Sequence, residues 1–214
     1  MDGKSRSLIS LYVVTFLWGC GTSLLTPVFP LYMRSLGFSV QDWGNLVLTY
    51  AVSTFIFEWV WGVLADRADR RIFIGAGLIS GSIFVFLYTL DGSKPFFYLL
   101  QFARGGLFIM VGPAVKALVF DLASSGALGL SMGLYSATRT LGGAVGPFVG
   151  SYVAQFWSYE RALEVYSVSA LLGALFTITI SKTVRPSRKV AGEEAPELHQ
   201  NWRELFTRDK VGIL

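Results

Sequence analysis

Six long apolar runs constrain this chain more than any other feature of its sequence. Each has about 20 mainly apolar residues or more, enough to cross a bilayer core of about 30 Å at about 1.5 Å per residue. The runs cover residues 8–33, 43–65, 72–90, 95–119, 131–158 and 163–181. Because backbone polar groups in lipid must bond within their own segment, helices are favoured over isolated strands. The sequence therefore predicts an all-α membrane protein with six transmembrane helices.

The composition disfavours several other classes of protein. Only 15% of the 214 residues are charged, whereas a soluble domain carries about a quarter. The single cysteine, Cys20, cannot form an internal disulfide, and with one histidine the chain predicts no metal site and no cofactor. The net charge of +4 is not gathered in one stripe, so no nucleic-acid partner is expected. No His pair, Ser/His arrangement or pair of carboxylates at one depth points to an enzyme, and no catalytic residue is predicted.

Basic residues are distributed unevenly between the two sides of the predicted bundle. One set of connections holds ten of them: Lys4, Arg6, Arg67, Arg70, Arg71, Lys116, Lys182, Arg185, Arg188 and Lys189. The opposite set holds three: Arg34, Lys94 and Arg161. Because Lys and Arg accumulate on the cytoplasmic side, both termini are predicted to be cytoplasmic. The first run is too long for a cleaved leader and is predicted to be the first anchor.

The chain is predicted to divide into a bundle, residues 1–182, and a cytoplasmic linker, residues 183–214. The linker begins with a mixture of Pro, Gly and charged residues. Four apolar residues then follow at spacings of 4, 3 and 1: Leu198, Trp202, Leu205 and Phe206. This stripe predicts a short amphipathic helix. Two interpretations stay open, a helix along the inner membrane surface and an ordinary linker helix.

The connection between the second and third spans carries the most informative motif. It reads Gly62-Val-Leu-Ala-Asp66-Arg67-Ala-Asp69-Arg70-Arg71. A small residue on the last turn allows a neighbouring helix to approach closely. Asp66, at a helix end, can pair with the arginines or face a helix N-terminus. Such a cluster can latch one conformation and release it when helices slide.

The fifth span carries a second motif, built from glycine and proline. Its residues are Gly133, Gly142, Gly146, Pro147 and Gly150. The last three glycines are four residues apart, so each is rotated by only about 40° around the helix axis from the one before. They therefore form a continuous stripe along one face of the helix. Pro147 cannot donate a backbone hydrogen bond and is predicted to bend the helix. We expect this span to pack closely against, or rock on, another helix.

Both motifs resemble signatures of the major facilitator superfamily. The loop pattern of that family, Gly-x-Leu-Ala-Asp-Arg-x-Gly-Arg-Arg, is matched here at Gly62, Leu64, Ala65, Asp66, Arg67, Arg70 and Arg71. Asp69 stands where the family usually has glycine. The fifth-span spacing resembles the motif of the superfamily's antiporters, with Ser151 in place of a final glycine. Asp121 lies where the family often places an acid, so the resemblance implies a cluster of Asp66, Arg70 and Asp121.

The resemblance implies a fold and a function. Family members have two six-helix halves that hold the substrate between them at mid-membrane, so this chain is expected to be the N-terminal half. Helices 1 and 4 would line the pathway, helices 2 and 5 would meet the other half, and helices 3 and 6 would face lipid. The other half would be a continuation of the same gene, a split subunit or a homodimer mate.

The expected function is secondary active transport of a small solute across the cytoplasmic membrane by alternating access. The antiporter-like motif suggests proton-coupled efflux, although the first span holds no acid. The alternative is a non-transporting scaffold or regulatory subunit that retains the six-helix shell.

Three charged residues lie inside the predicted spans. Glu58, Arg104 and Arg139 would each cost about 2.5–3.5 kcal/mol at the bilayer centre, so they should face a cavity or a partner. In one interpretation Glu58 carries a proton while an arginine holds a substrate anion. In the other, slightly favoured, Glu58 forms a fixed ion pair with an arginine. By depth Glu58 matches Arg139 better than Arg104.

Overall fold

The computed structural model describes residues 3–65, 68–124 and 126–180, and its regular secondary structure in these ranges is entirely α-helical. The described helices are α1 (Gly3–Ser35), α2 (Val40–Ala65), α3 (Arg70–Leu87), α4 (Lys94–Phe108), α5 (Val111–Leu122), α6 (Leu128–Phe156) and α7 (Tyr159–Ile178). Helices α4 and α5 together form the fourth predicted span. The all-α fold expected from the apolar runs is confirmed. The predicted amphipathic segment at 198–206 lies outside the described residues.

A tight turn separates α1 from α2, and the local sequence explains it. Gly37 adopts φ +83°, a left-handed conformation that glycine tolerates without strain. The Phe38 N–H donates to the Met33 carbonyl at 3.1 Å. This is the long hydrogen bond of the Schellman motif, in which a helix ends at a glycine. Ser39 and Asp42 then cap α2 reciprocally, since the Ser39 N–H donates to Asp42 Oδ2 at 2.8 Å and the Asp42 N–H donates to Ser39 Oγ at 3.1 Å. Residues 36–39 therefore join α1 to α2 in a short, hydrogen-bonded turn.

The sequence predicts one continuous helix for the fourth span. In the structure this span is broken at Ile109 and Met110. The reason lies four residues beyond Ile109, at Pro113, which has no N–H to offer the Ile109 carbonyl. The Gly112 N–H donates to that carbonyl instead, at 3.3 Å, in the tighter spacing of a 3₁₀ turn. The break places a short irregular segment in the middle of the bundle.

Five segments of the described chain are long and apolar enough to cross a membrane, with α4 and α5 counted together. Helix α6 is not among them, although the sequence predicted a span there and the helix has 29 residues. Its six glycines, with serine, threonine and one arginine, keep its mean hydropathy below that of the five membrane-length segments. Helix α6 is instead held in the bundle by close packing against α1.

Helix α1 lies at the centre of the bundle and packs against both α6 and α7, while α3 packs on α7 and α2 on α4. Buried apolar side chains form two clusters. One, near the turn between α1 and α2, includes Phe29, Tyr88 and Phe97. The other, near the connection between α2 and α3, includes Ile74 and Leu118. We call these two ends the α1–α2 end and the α2–α3 end.

The glycine stripe of α6 packs directly on the backbone of α1. A methyl group at Gly142 would lie 2.4 Å from the Phe16 carbonyl oxygen, and one at Gly146 would lie 2.2 Å from that of Cys20. Gly150 continues the same contact one turn further on. The close helix packing predicted for this stripe is therefore made within the chain, with α1 as its partner.

Gly133 of the same motif takes no part in that contact. A methyl group there would meet no described residue within 4 Å. Pro147 lies within α6, which continues as a helix from Leu128 to Phe156. The rocking role suggested for this helix remains a prediction.

Candidate functional site

A cavity of about 700 Å³ lies between α1, α2, the α4–α5 pair and α6. None of its described lining residues comes from α3 or α7. Aromatic side chains form much of its wall: Trp18, Trp43, Tyr50, Phe108 and Tyr135. The three charged residues that the sequence places inside the spans, Glu58, Arg104 and Arg139, all line this one cavity. The structure thus brings together side chains from three different helices.

Arg104 is half-buried and surrounded by aromatic rings. Its guanidinium carbon lies 5.5 Å from the ring centroid of Tyr50, 5.6 Å from that of Phe108 and 5.9 Å from that of Tyr166. A methyl group at the next residue, Gly105, would lie 2.8 Å from the Tyr50 carbonyl oxygen. The absence of a side chain at Gly105 therefore lets α4 come close enough to α2 for Arg104 to reach Tyr50. Cation–π contacts hold the guanidinium in place but leave its charge unneutralised.

Arg139 lies over the face of Trp18, with its guanidinium carbon 3.8 Å from the ring centroid. Trp18 is 8% exposed, and its buried indole nitrogen has no hydrogen-bond partner among the described residues. A methyl group at Gly19 would lie 2.6 Å from the Arg139 carbonyl oxygen, so α1 and α6 touch at this level. That contact fixes Arg139 and Trp18 side by side on the cavity wall.

Glu58 forms no ion pair with either arginine. None of the ion pairs between described residues includes it, and its side chain is exposed on α2. The fixed pair that the sequence slightly favoured is therefore absent from this structure. The physical reason is that aromatic rings from α2, α4 and α7 surround Arg104, while Arg139 is stacked on Trp18.

Lys116 corrects the sequence analysis in another respect. The sequence predicts Lys116 among the cytoplasmic connections, but it lies inside α5 with an exposed side chain, and it lines the same cavity. The signal was available, because Lys116 shares an apolar run with Arg104. When Lys116 is left out, one set of connections still holds nine basic residues and the opposite set three. The cavity therefore carries three basic side chains and one acidic side chain among its described lining residues.

At the α2–α3 end, two residues of the predicted loop cluster meet. Arg70 forms an ion pair with Asp121 of α5, and the two side chains are only 12% and 18% exposed. The same guanidinium donates to the Ala117 carbonyl at 3.0 Å. The structure thus links α3 to α5 through the pair that the resemblance implied. The other members of the motif, Asp66 and Arg67, lie outside the described residues.

Asp69, which replaces a family glycine, has a defined local role. Its carboxylate accepts the Arg71 backbone N–H at 3.1 Å and caps the first turn of α3. It also accepts a hydrogen bond from Nε of the Arg71 side chain at 3.0 Å. Arg71 in turn donates to the Ile180 carbonyl at 2.6 Å. Asp69 therefore holds a side chain that joins the start of α3 to the end of α7.

Gly62 does not receive the close helix contact that the sequence predicted. A methyl group there would meet nothing within 4 Å, so among the described residues no helix approaches it. The neighbouring Trp61 donates its indole N–H to the Gly106 carbonyl, and α2 is attached to the bundle mainly through α4. The Gly62 side of α2 is left open.

Comparison with known proteins identifies the family. The model of the Major Facilitator Superfamily matches residues 11–212. The chain belongs to this superfamily. It is 30% identical over 208 residues to the quinolone resistance protein NorA of Staphylococcus aureus, an alignment that covers 95% of this chain and 53% of NorA. It is 26% identical over 203 residues to the MFS-type transporter YceJ of Bacillus subtilis, with 95% and 51% covered.

The fold agrees with that of a solved superfamily member. A bacterial homologue of the human lysosomal transporter Spinster, in an inward-facing and unoccupied conformation, matches 96% of this chain and 49% of its own chain with a TM-score of 0.76 at 18% identity. The chain thus spans about half the length of the relatives it matches. Membership in the superfamily makes it a multi-pass protein of the plasma membrane, and the members of that superfamily are transport proteins rather than enzymes.

Proposed function

We propose that this chain is the N-terminal half of a secondary active transporter that moves a small solute across the cytoplasmic membrane by alternating access. The observation that carries the proposal is the convergence of Glu58, Arg104 and Arg139 on one cavity. Charges inside a membrane are expensive and usually mark a substrate or ion pathway. The cavity volume, about 700 Å³, falls within the range of about 300–1,000 Å³ typical of small-molecule sites.

We further propose that transport is outward and coupled to protons. The name of the relative NorA links it to quinolone resistance, and the glycine and proline motif of α6 resembles that of antiporters. Glu58 is the proposed proton carrier, since it lines the cavity and makes no ion pair with a described residue.

A second six-helix half is proposed to close the cavity against α2 and α6. Only 11% of the apolar window of α2 is buried, compared with 39% to 56% in the other four membrane-length segments. Large apolar side chains on α2 remain open, among them Phe55 at 82% and Trp59 at 69% exposed. On α6, Phe148 is 74% exposed. The second half is a continuation of the same gene, a split subunit or a homodimer mate.

The ion pair between Arg70 and Asp121 is the proposed latch of the gating loop, and the α2–α3 end is proposed to face the cytoplasm. Cysteine labelling tests this orientation. On a Cys20→Ser background, Gly92→Cys should react with a membrane-impermeant maleimide added to intact cells, whereas Ala68→Cys should react only after lysis. Labelling of Ala68→Cys from outside would reverse the topology.

Transport itself is tested in cells that express the full reading frame containing this sequence. A fluorescent quinolone and a cationic dye serve as probes. Expressing cells should accumulate less of at least one probe, and a protonophore should abolish the difference. Arg139→Gln should restore accumulation of the exported probe. Arg161→Gln is the matched control, because Arg161 is exposed, pairs with Glu164 and lies away from the cavity.

The scaffold alternative predicts a different result in the same cells. A membrane-inserted protein that changes the accumulation of neither probe would favour a scaffold. So would variants of Glu58 and Arg104 that behave as the parent chain does.

A further inference from the structure

The charges of the cavity are unbalanced. Among the described residues that line it, Arg104, Lys116 and Arg139 face a single acid, Glu58. No carboxylate of a described residue lies within 4.0 Å of either guanidinium. A cation held away from bulk water without a counter-ion is costly, and an anion that enters the cavity relieves that cost. The charge distribution therefore favours a negatively charged ligand.

The rest of the wall is suited to a planar ring. Trp18, Trp43, Tyr50, Phe108 and Tyr135 all line the cavity. Aromatic side chains bind aromatic ligands through stacked or edge-to-face contacts. Arg139 is already stacked on Trp18, which fixes the plane of its guanidinium. A fixed guanidinium can donate two parallel hydrogen bonds to a carboxylate.

We propose that the cavity selects an aromatic carboxylate, whose anionic group binds at Arg139 and Arg104 while its ring lies among the aromatic side chains. This substrate class rests on the proposed transport function and specifies it. Lys116, which lines both the cavity and an adjoining groove beside Arg70, attracts the anion from the α2–α3 end. The absence of an acid from the first span removes a source of repulsion.

The test compares three probes of similar size that differ in charge: 1-naphthoate, neutral 1-naphthamide and cationic 1-naphthylmethylammonium. The full-length protein is placed in nanodiscs of zwitterionic lipid, and binding is measured by titration calorimetry. Naphthoate should bind about tenfold more tightly than naphthamide, the effect of one charge-assisted contact. Arg139→Gln should reduce naphthoate affinity to the level of naphthamide, which should bind as before. Arg161→Gln should change neither affinity.

Several outcomes would overturn the substrate class. Equal affinity for naphthoate and naphthamide would mean that the arginines do not select an anion, and tighter binding of the cation would mean that the cavity favours a positive charge. Binding of naphthamide confirms that Arg139→Gln is folded; if that variant is unstable, Arg104→Gln takes its place with the same expected loss. Export of the cationic dye without binding of naphthoate would refute this inference and leave the transport proposal standing. Failure to export any probe would refute the transport proposal itself.

Discussion

Two pairs of arginines in this chain have opposite surroundings. Arg70 and Arg71, at the α2–α3 end, each contact a carboxylate of the same chain, Asp121 and Asp69 respectively. Arg104 and Arg139, in the cavity, contact aromatic rings and no carboxylate of a described residue. The first arrangement neutralises a charge and ties helices together. The second fixes the position of a guanidinium while leaving its charge available.

The difference separates arginines that stabilise the fold from arginines that can bind a ligand. Removing one member of a buried ion pair leaves an isolated charge and is strongly destabilising. Removing an arginine that lacks a counter-ion also removes the cost of burying it. The two pairs should therefore respond to mutation with different effects on stability and function.

The largest expected effect is at the buried ion pair. Asp121→Ala leaves Arg70 without its counter-ion and should lower the free energy of unfolding by about 3 kcal/mol. The measurement is reversible unfolding in mixed micelles of increasing dodecyl sulfate content. Glu164→Ala, which breaks the exposed pair with Arg161, should cost about 0.5 kcal/mol or less. Equal losses in the two variants would remove the distinction between the two pairs.

Asp69 gives the next largest effect. Asp69→Gly introduces the residue usual in the superfamily, removes the cap of α3 and releases the Arg71 side chain, so unfolding free energy should fall by about 1–2 kcal/mol. Asp69→Asn can still cap the helix and should lose less. The same unfolding titration measures both variants. A glycine variant as stable as the parent would mean that neither contact contributes.

Arg104 should show the opposite pattern to Asp121. Arg104→Gln loses aromatic contacts but also the cost of a buried charge, so the unfolding free energy should stay within about 1 kcal/mol of the parent value. Quinolone or dye export should nevertheless be lost, and naphthoate affinity should fall to the level of naphthamide. A large fall in the free energy of unfolding would mean that Arg104, like Arg70 and Arg71, stabilises the fold.

The smallest effect is expected at the ring beneath Arg139. Trp18→Phe keeps an aromatic face but weakens the cation–π contact by about 0.5–1 kcal/mol, so naphthoate affinity should fall about two- to fivefold. Trp157→Phe is the control, because Trp157 lies outside the cavity and is 70% exposed. An unchanged affinity for Trp18→Phe would show that the α1–α6 backbone contact alone positions Arg139.

Much of the fold followed from the sequence because apolar length is a local property. Each apolar run became a helix or a helix pair, and spacing alone placed Gly142 and Gly146 on one stripe. The break at Ile109 was not predicted, although Pro113 is visible in the sequence. Whether a proline bends, breaks or is accommodated by a helix depends on its neighbours, and Pro147 lies within a helix that continues past it.

The candidate site was predictable in its members but not in its contacts. The cost of a charge in lipid identified Glu58, Arg104 and Arg139 without any structure. Their partners depend on which helices are adjacent, and the sequence does not supply that information. The same limit hid the contact of Arg71 with Ile180, 109 residues away along the chain. The contact of Arg70 with Asp121 was anticipated only through the family resemblance.

The contact of Gly142, Gly146 and Gly150 with the backbone of α1, here called the seam, constrains how the α1 and α6 wall of the cavity can change. A single added carbon at Gly142 or Gly146 would collide with backbone atoms of α1, which cannot move aside as a side chain can. Trp18 and Arg139 lie on this seam, so their relative placement is set by the main chain. Engineering of a new ligand preference should therefore start from Lys116 of α5, whose side chain is exposed, and leave the inherited seam untouched.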